Sequence, residues 1–568
     1  MAESSVFRSS LLDECIFGNK RDNFATAMHW ADEIAENLIR RHPDREIFNC
    51  ASGISPSGPV HVGNLRDIVT IWFVGKCLRE RGKQAHLFHS WDEYDRFRKV
   101  PKGIPESYGE YIGRPLTEIP DPLGDSSSYA ARYEHQFEES LRELGIHIEF
   151  RYQTKMYRSG LYRQGIIEAV RARKTIYDIL ASYRTQGGSE PERENYFPIT
   201  IYCEGCGKDT TQILFADDSE TVMRYSCSSC GQQGTVDLNV ASNVKLPWKI
   251  DWAMRWRHEG VIFEPGGKDH ATAGGSFEVA SEISKRIYHF EPPFFQPYEF
   301  IGLKGLTGKM SSSTGQLLTP RDVLQIYQPE VLLLVFARVP PTRAFDLAVD
   351  DQIHRIYEEF DKIYLGGSKL PTDKRALELA RIPGREVHPV SFRQLTSFSG
   401  LAQGNHQALE LIFARIGTPC QKELFAERFQ KAQHWLEYYA PDQRTALLSR
   451  RNCDYFQTLA PYERAWIHEL FRWLKASKFT LEEATEKVYA IPRQSGMTEK
   501  EQANVQRRFF QIVYNLLFGK DKGPRLGTFL AALPSEQYVD LLNFTDLAEE
   551  SIDSAEKLPI HENLGHQK

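Results

Sequence analysis

From Ala31 onward the spacing of apolar positions changes repeatedly along the chain. "ADEIAENLIRRH" places them three and four apart and predicts an amphipathic helix, whereas "REIFNCAS" is a compact apolar run and predicts a buried strand. In "HVGNLRDIVTIWFVGKCLRERG", Leu65, Ile68, Val69, Trp72, Phe73 and Leu78 recur at helical spacing, and Gly82 is placed to end the helix. "QAHLFHSW" predicts a second strand. Strand, glycine-bearing turn, helix and strand make a βαβ unit, the building block of parallel sheets.

Between Pro101 and Asn243 this rhythm breaks, and Pro, Gly and Ser accumulate. The stretch predicts an insertion with its own small fold. Strand and helix patterns return at "GVIFEPGG", "GGSFEVASEISKRIYHF" and "YEFIGL", and end at "GLTGKMSSSTG". From Pro320 onward the periodicity is helical, in "PEVLLLVFARV", "AVDDQIHRIYEEFDKIYL", "HQALELIFARIG" and "KEQANVQRRFFQIVYNLLFG", with no strand series expected. A helical half of roughly 200 residues follows, as two helical units.

Composition narrows the class. With 568 residues the chain needs about three or four domains. Its 41% hydrophobic and 26% charged residues are ordinary for a soluble protein. A net charge of −6 confines any nucleic-acid binding to local basic patches. The N-terminus lacks a secretory signal, and no apolar run reaches the roughly 18 residues of a membrane span. Of nine cysteines, Cys15, Cys50, Cys77, Cys420 and Cys453 are isolated, which fits a reducing compartment, the cytoplasm. The other four form "YCEGCGKDT" and "SCSSCGQQG". Two C-x-x-C pairs about 20 residues apart predict a tetrahedral, structural Zn²⁺ ribbon held by Cys203, Cys206, Cys227 and Cys230.

The turn "ASGISPSGPVHVGNLRD" sits where a parallel strand passes into a helix, so it lies at the carboxyl edge of the sheet. Unpaired amides and the helix dipole favour phosphate there. Small residues at Gly53, Ser55, Ser57 and Gly58 admit a bulky ligand, and His61 and Asn64 share one side of the first turn. The spacing is neither GxxxxGK[ST] nor GxGxxG. "GLKGLTGKMSSSTG" offers Lys304 and Lys309 on a glycine-rich segment suited to closing over a polyphosphate; a solvated linker has the same composition.

Asp92, Glu93 and Asp95 follow the second strand. They suit a cationic substrate, or else pair with Arg96, Arg98 and Lys99. Trp248, Trp252 and Trp256 recur four apart, a spacing of core packing that also suits an ammonium or its alkyl stem. Asp269 and His270 end a glycine-rich strand-to-helix loop. Near the C-terminus, Lys520, Lys522 and Arg525 cluster at a turn that suits either phosphate contact or plain solvation.

"HVGN" and "KMSSS", in that order and separated by an insertion, resemble the paired motifs of class I aminoacyl-tRNA synthetases. Two positions depart from them: Asn64 replaces the last histidine of the first motif, and Ser312 replaces the second lysine of the second, which leaves the phosphate role to Lys309, or failing that Lys304. "DEYDRFRKVP", "PWKIDWAMRW", "GKDHATAGGS" and "GPRLGTFLAAL" further resemble the class I form of lysyl-tRNA synthetase.

That resemblance implies an α/β Rossmann-type parallel-sheet catalytic domain with a zinc-ribbon insertion, followed by an all-α C-terminal half. The expected domains are 1–100 (N-terminal helix and first half of the catalytic domain), 101–243 (insertion), 244–318 (second catalytic half with the KMSSS loop), 319–390 (helical, stem-contact-like) and 391–568 (helical, anticodon-binding). It implies catalytic roles for His61, Asn64, Lys309, Ser311 and Ser312. ATP contacts are implied at Pro56, Gly58, His61, Gly63, Asn64, Gly267, Asp269, Lys309 and Met310. Lysine contacts are implied at Gly53, Ser55, Asp92, Trp248 and His270. ATP is the expected substrate with Mg²⁺, tRNA(Lys) the partner, and a monomer the expected state. Three other functions compete. A glutamyl-type synthetase would want a basic site. A small-molecule nucleotidyltransferase needs neither ribbon nor helical half. A non-catalytic zinc-ribbon RNA-binding protein would not need the histidine, lysine and carboxylate set.

Overall fold

The computed structural model describes residues 28–184, 188–304, 318–402, 404–476 and 478–547. They divide into two compact units, one ending at Glu386 and one beginning at Val387.

The first unit is built on helix α1 (Trp30–Arg41), strand β1 (Ile47–Ile54), helix α2 (Leu65–Glu80), strand β2 (Gln84–Trp91), helix α3 (Tyr129–Glu143) and strand β3 (Glu149–Tyr152). There follow strands β4 (Thr211–Ala216), β5 (Val222–Cys227) and β6 (Gln233–Asp237). Helix α4 (Trp248–Glu259), strand β7 (Phe263–Gly267), helix α5 (Ser276–Arg286) and strands β8 (Phe294–Tyr298), β9 (Ile301–Lys304) and β10 (Phe345–Ala348) come next, with further short strands and helices, among them Pro329–Arg338, Ile353–Tyr364 and Pro371–Ala380, in the same unit.

Five strands form one parallel sheet in the order β8–β7–β1–β2–β3. Counted within the sheet this is 3-2-1-4-5, the Rossmann order 3-2-1-4-5-6 without its last strand, and the order reverses between β1 and β7. Helix α2 is buried along nearly its whole length, from Leu65 to Leu78, because it packs on the sheet with Ile68, Val69, Ile71, Trp72 and Phe73. Gly82, at φ 77°, turns the chain out of α2 and back into β2.

Several expectations need adjustment. Strand β1 runs two residues further than the apolar pattern suggests, because Gly53 and Ile54 pair with Ser90 and Trp91. Glu149–Tyr152 lies inside the stretch read as an insertion yet extends the main sheet, with Phe88 opposite Glu149. Strand β8 was not anticipated; Pro297 is tolerated there because β8 is the sheet edge and pairs only with β7. "YEFIGL" yields β9, which pairs not with the main sheet but with β10, a short strand in the stretch expected to be helical.

The second unit, described by itself, is helical throughout its described residues, from Phe392–Ala402 to Leu526–Ala532. Among the described residues no helix is long and apolar enough to cross a membrane.

Candidate active site

Strands β1 and β7 are in register only at Cys50 and Phe263. Beyond that point β1 runs on to Ile54 and β7 to Gly267, so the carboxyl ends of two strands meet at the position where strand order reverses. Open α/β sheets bind ligands there. In "SGISPSG", Ser52–Ile54 end β1 and Ser55–Gly58 open the loop leaving it. Tyr129 Oη donates to the Ser57 carbonyl at 2.9 Å, Ser55 Oγ reaches the Asp92 carbonyl at 3.5 Å, and the Gly53 amide donates to Asp67 Oδ2 at 3.3 Å. A side chain on Gly53 would stand 3.3 Å from the Ser90 carbonyl oxygen, so the strand's open end favours glycine.

His61 precedes a single 3₁₀ turn, Val62–Asn64, which feeds directly into α2. His61, Gly63 and Asn64 are half-buried, and Pro56 and Gly58 are buried. The sixteen-residue helix directs its positive end at this turn. Across the switch point, Gly267 ends β7, and Asp269 and His270 occupy the 3₁₀ turn Lys268–Ala271. The structure thus brings Gly53, Ser55, Pro56, Gly58, His61, Gly63, Asn64, Gly267, Asp269 and His270 to the carboxyl edge of one sheet.

Lys309, Met310, Ser311 and Ser312 lie outside the described residues. The residues flanking them do not. Lys304 is exposed at the end of β9, and the Val62 amide donates to the Leu318 carbonyl at 2.8 Å. Leu318, which follows the second motif in the chain, is therefore bonded to the backbone immediately after His61.

The carboxylates that suggested a cation site are already engaged, and not by the arginines and lysine adjacent in sequence. Asp92 Oδ1 accepts from Arg255 at 2.8 Å, and Asp95 pairs with the buried Lys245. Arg96 instead reaches Asp209 at 3.0 Å. Glu93 accepts from the amides of Gln153 and Thr154, at 2.9 and 2.8 Å; burial still pushes its carboxyl up to about 7. Arg255 also lies 3.4 Å from Asp251, whose other oxygen accepts from Tyr157 Oη at 2.5 Å. Three carboxylates thus face two cations, and the network leaves the surrounding site acidic.

The tryptophans are both packing and polar. Trp248 stacks on Trp252 with ring centroids 4.9 Å apart, and Trp252 stands 5.0 Å from Trp256. The indole N–H groups of Trp252 and Trp256 donate to Glu264 Oε1 and Oε2 at 3.0 and 2.6 Å. The His270 ring is 5.7 Å from Trp252. A narrow pocket at the switch point is lined by Gly53, Ser90, Trp248, Trp252, Arg255 and Glu264. Sequence reasoning passed over Arg255 and Glu264. Arg255 sits among the helix's basic residues, and Glu264 is one residue in an apolar strand; a charge in such a strand was the available signal.

In the ribbon, the four cysteine sulfurs lie within 4.8 Å of one another. Cys203–Cys230 and Cys206–Cys227 are 3.7 and 3.6 Å apart. A tetrahedron with Zn–S bonds of about 2.3 Å sets sulfurs about 3.8 Å apart, so the donor set fits zinc. The two knuckles repeat one local structure. Gly207 and Gly231 take φ of 72° and 74°, and their amides donate to the Cys203 and Cys227 carbonyls at 2.7 and 2.9 Å. At the C-terminal basic turn, Lys520 is spent on the Asp442 and Arg444 carbonyls, at 2.7 and 2.8 Å, while Lys522 and Arg525 are exposed.

The sheet order and its crevice are those of a nucleotide-binding α/β fold, and the chain belongs to the class I synthetases: the family described as "tRNA synthetases class I (K)" matches residues 28–380. Similar proteins include the lysine--tRNA ligases of Treponema pallidum (37% identical, covering 91% of this chain and 98% of that protein), Thermococcus kodakarensis (35%, 90% and 98%) and Streptomyces coelicolor (36%, 90% and 97%). Within the class, the family is that of the lysine--tRNA ligases.

Proposed function

We propose that this chain activates L-lysine with ATP at the β1–β7 switch point and transfers it to the 3′ end of tRNA(Lys). The observation that carries the mechanism is the Val62–Leu318 hydrogen bond, which ties the flank of the KMSSS segment to the His61 turn. ATP lies with its adenine and ribose by Gly267 and Asp269, and with its phosphates between the loop of Pro56, Gly58, Gly63 and the segment bearing Lys309 and Met310. Lysine sits against Gly53, Ser55, Trp248 and His270. Asp92 acts on it through Arg255.

The lysine carboxylate attacks the α-phosphorus in line. A P–O bond forms as the bond to pyrophosphate breaks, giving lysyl-adenylate. His61, Asn64 and Lys309, with Ser311 and Ser312, stabilise negative charge gathering on the phosphates. Mg²⁺ carried on the triphosphate would supply further neutralisation. A ribose hydroxyl of the tRNA 3′ end then attacks the adenylate carbonyl and AMP leaves. Positioning and fixed charge do the work, with no covalent enzyme intermediate. The ribbon's zinc, closed by four thiolates, holds the insertion in shape; the helical second unit reads the anticodon. The chain acts as a cytoplasmic monomer.

ATP–pyrophosphate exchange, with tRNA present, tests this. Exchange that depends on lysine supports it. Exchange that depends on glutamate, or none with any amino acid, refutes it.

A further inference from the structure

Selecting lysine requires a counter-charge for its terminal ammonium, and the acidic residues nearest in sequence to the second strand are unavailable. Asp92 is held by Arg255, Asp95 by Lys245, and Glu93 by two backbone amides. Among the carboxylates lining the pocket, Glu264 differs in its partners. It is 8% exposed, it lies on β7 one residue beyond the β1–β7 pairing, and both its hydrogen-bond partners are neutral indoles. Glu259, the other acid in the lining, pairs with Arg151 at 3.0 Å.

We propose that Glu264 is the residue that specifies lysine, its carboxylate receiving the ε-ammonium while Trp248 and Trp252 flank the alkyl stem. This rests on the lysine-activating function above.

Each oxygen of Glu264 accepts one indole N–H and retains a second lone pair for the ammonium. The two indole donors fix the carboxylate's orientation, so little side-chain freedom is lost on binding. Aromatic faces beside an ammonium add attraction. The charged groups facing Glu264 are Arg255 and Glu259 on α4 and Asp67 on α2. Asp67 is itself buried, and its Oδ1 has no hydrogen-bond partner among the described residues. Burial lifts the Glu264 carboxyl to about 7 despite the indoles and Arg255, so the empty pocket holds a partly protonated acid and an arriving ammonium favours its ionised form. A glutamate substrate would bring a second carboxylate against it, which explains rejection of the acidic amino acid as well as selection of the basic one.

The test is exchange by the full chain and by Glu264→Gln, with tRNA, using lysine and norleucine, which keeps the stem without the ammonium. No lysine-dependent exchange by the unaltered chain overturns the activity and this assignment together. Given that exchange, Glu264→Gln is expected to raise KM for lysine roughly 10- to 150-fold, leave KM for ATP unchanged, and narrow the preference for lysine over norleucine by a similar factor. An unchanged KM for lysine, or equal losses for lysine and norleucine, overturns the assignment while leaving the activity standing. A measurement on the unaltered chain covers the case of a variant that does not fold. Its KM for lysine should fall as pH rises through about 7, and a KM flat between pH 6 and 8 overturns the proposal.

Discussion

The Val62 amide and the Leu318 carbonyl meet at 2.8 Å, although the insertion and half the sheet separate them in the chain. One side of this bond begins the turn that follows His61, and the other closes the segment that carries Lys309. Lys304 holds the segment's opposite end at β9, five residues from Lys309, within about 18 Å of extended chain. The described flank on the C-terminal side of the second motif is thus tied to the turn that follows His61.

The ribbon's four thiolates predict one zinc per chain. Cys206→Ser should lower bound zinc to near none by elemental analysis and lower the melting temperature, since structural zinc stabilises the fold that binds it. Retention of stoichiometric zinc in that variant would contradict the assignment of the four ligands.

The buried Arg255 guanidinium holds the acidic stretch in place. Asp92→Asn removes one partner and leaves Arg255 with Asp251 at 3.4 Å. Stability should fall by about 3 kcal/mol, the lower end of the cost of breaking a buried pair. Urea denaturation checks this, following the transition of the 1–386 unit. A change under 1 kcal/mol would show that the pair contributes little.

Much of this was legible in the sequence, for identifiable reasons. The four-cysteine cluster follows from fixed cysteine spacing, and the strand–turn–helix at Ala51–Asn64 follows from a change of apolar period around small residues. What escaped depends on contacts distant in sequence. Glu149–Tyr152 has little apolar character of its own and is a strand because β2 offers it a parallel edge. Phe294–Tyr298 is masked by Pro297, which only its edge position permits. Asp92 finds its partner 163 residues away in Arg255, and no local pattern announces that pairing.

Glu134 on α3 is 4% exposed, and its Oε1 lacks a hydrogen-bond partner among the described residues. Burial, with help from Glu93 and Glu138, raises its carboxyl to about 8. Between the ordinary carboxyl value and about 8 the folded chain keeps a proton that the unfolded chain has lost, so stability declines as pH rises, by about 1.4 kcal/mol per unit for this group. Glu134→Gln should flatten that decline in melting curves taken from pH 5.5 to 8. Parallel profiles for the two proteins would contradict it.

The grip on the triphosphate is tested most directly by single-turnover formation of lysyl-adenylate in the unaltered protein, His61→Ala, Lys309→Ala and the double variant. Each single change should slow the step by about 100-fold or more with lysine affinity nearly intact, and the double variant should lose less than the product of the two, because both groups act on the same phosphates. Losses that multiply independently, or a collapse of lysine binding with the chemical step unchanged, would show that His61 and Lys309 do not share a site.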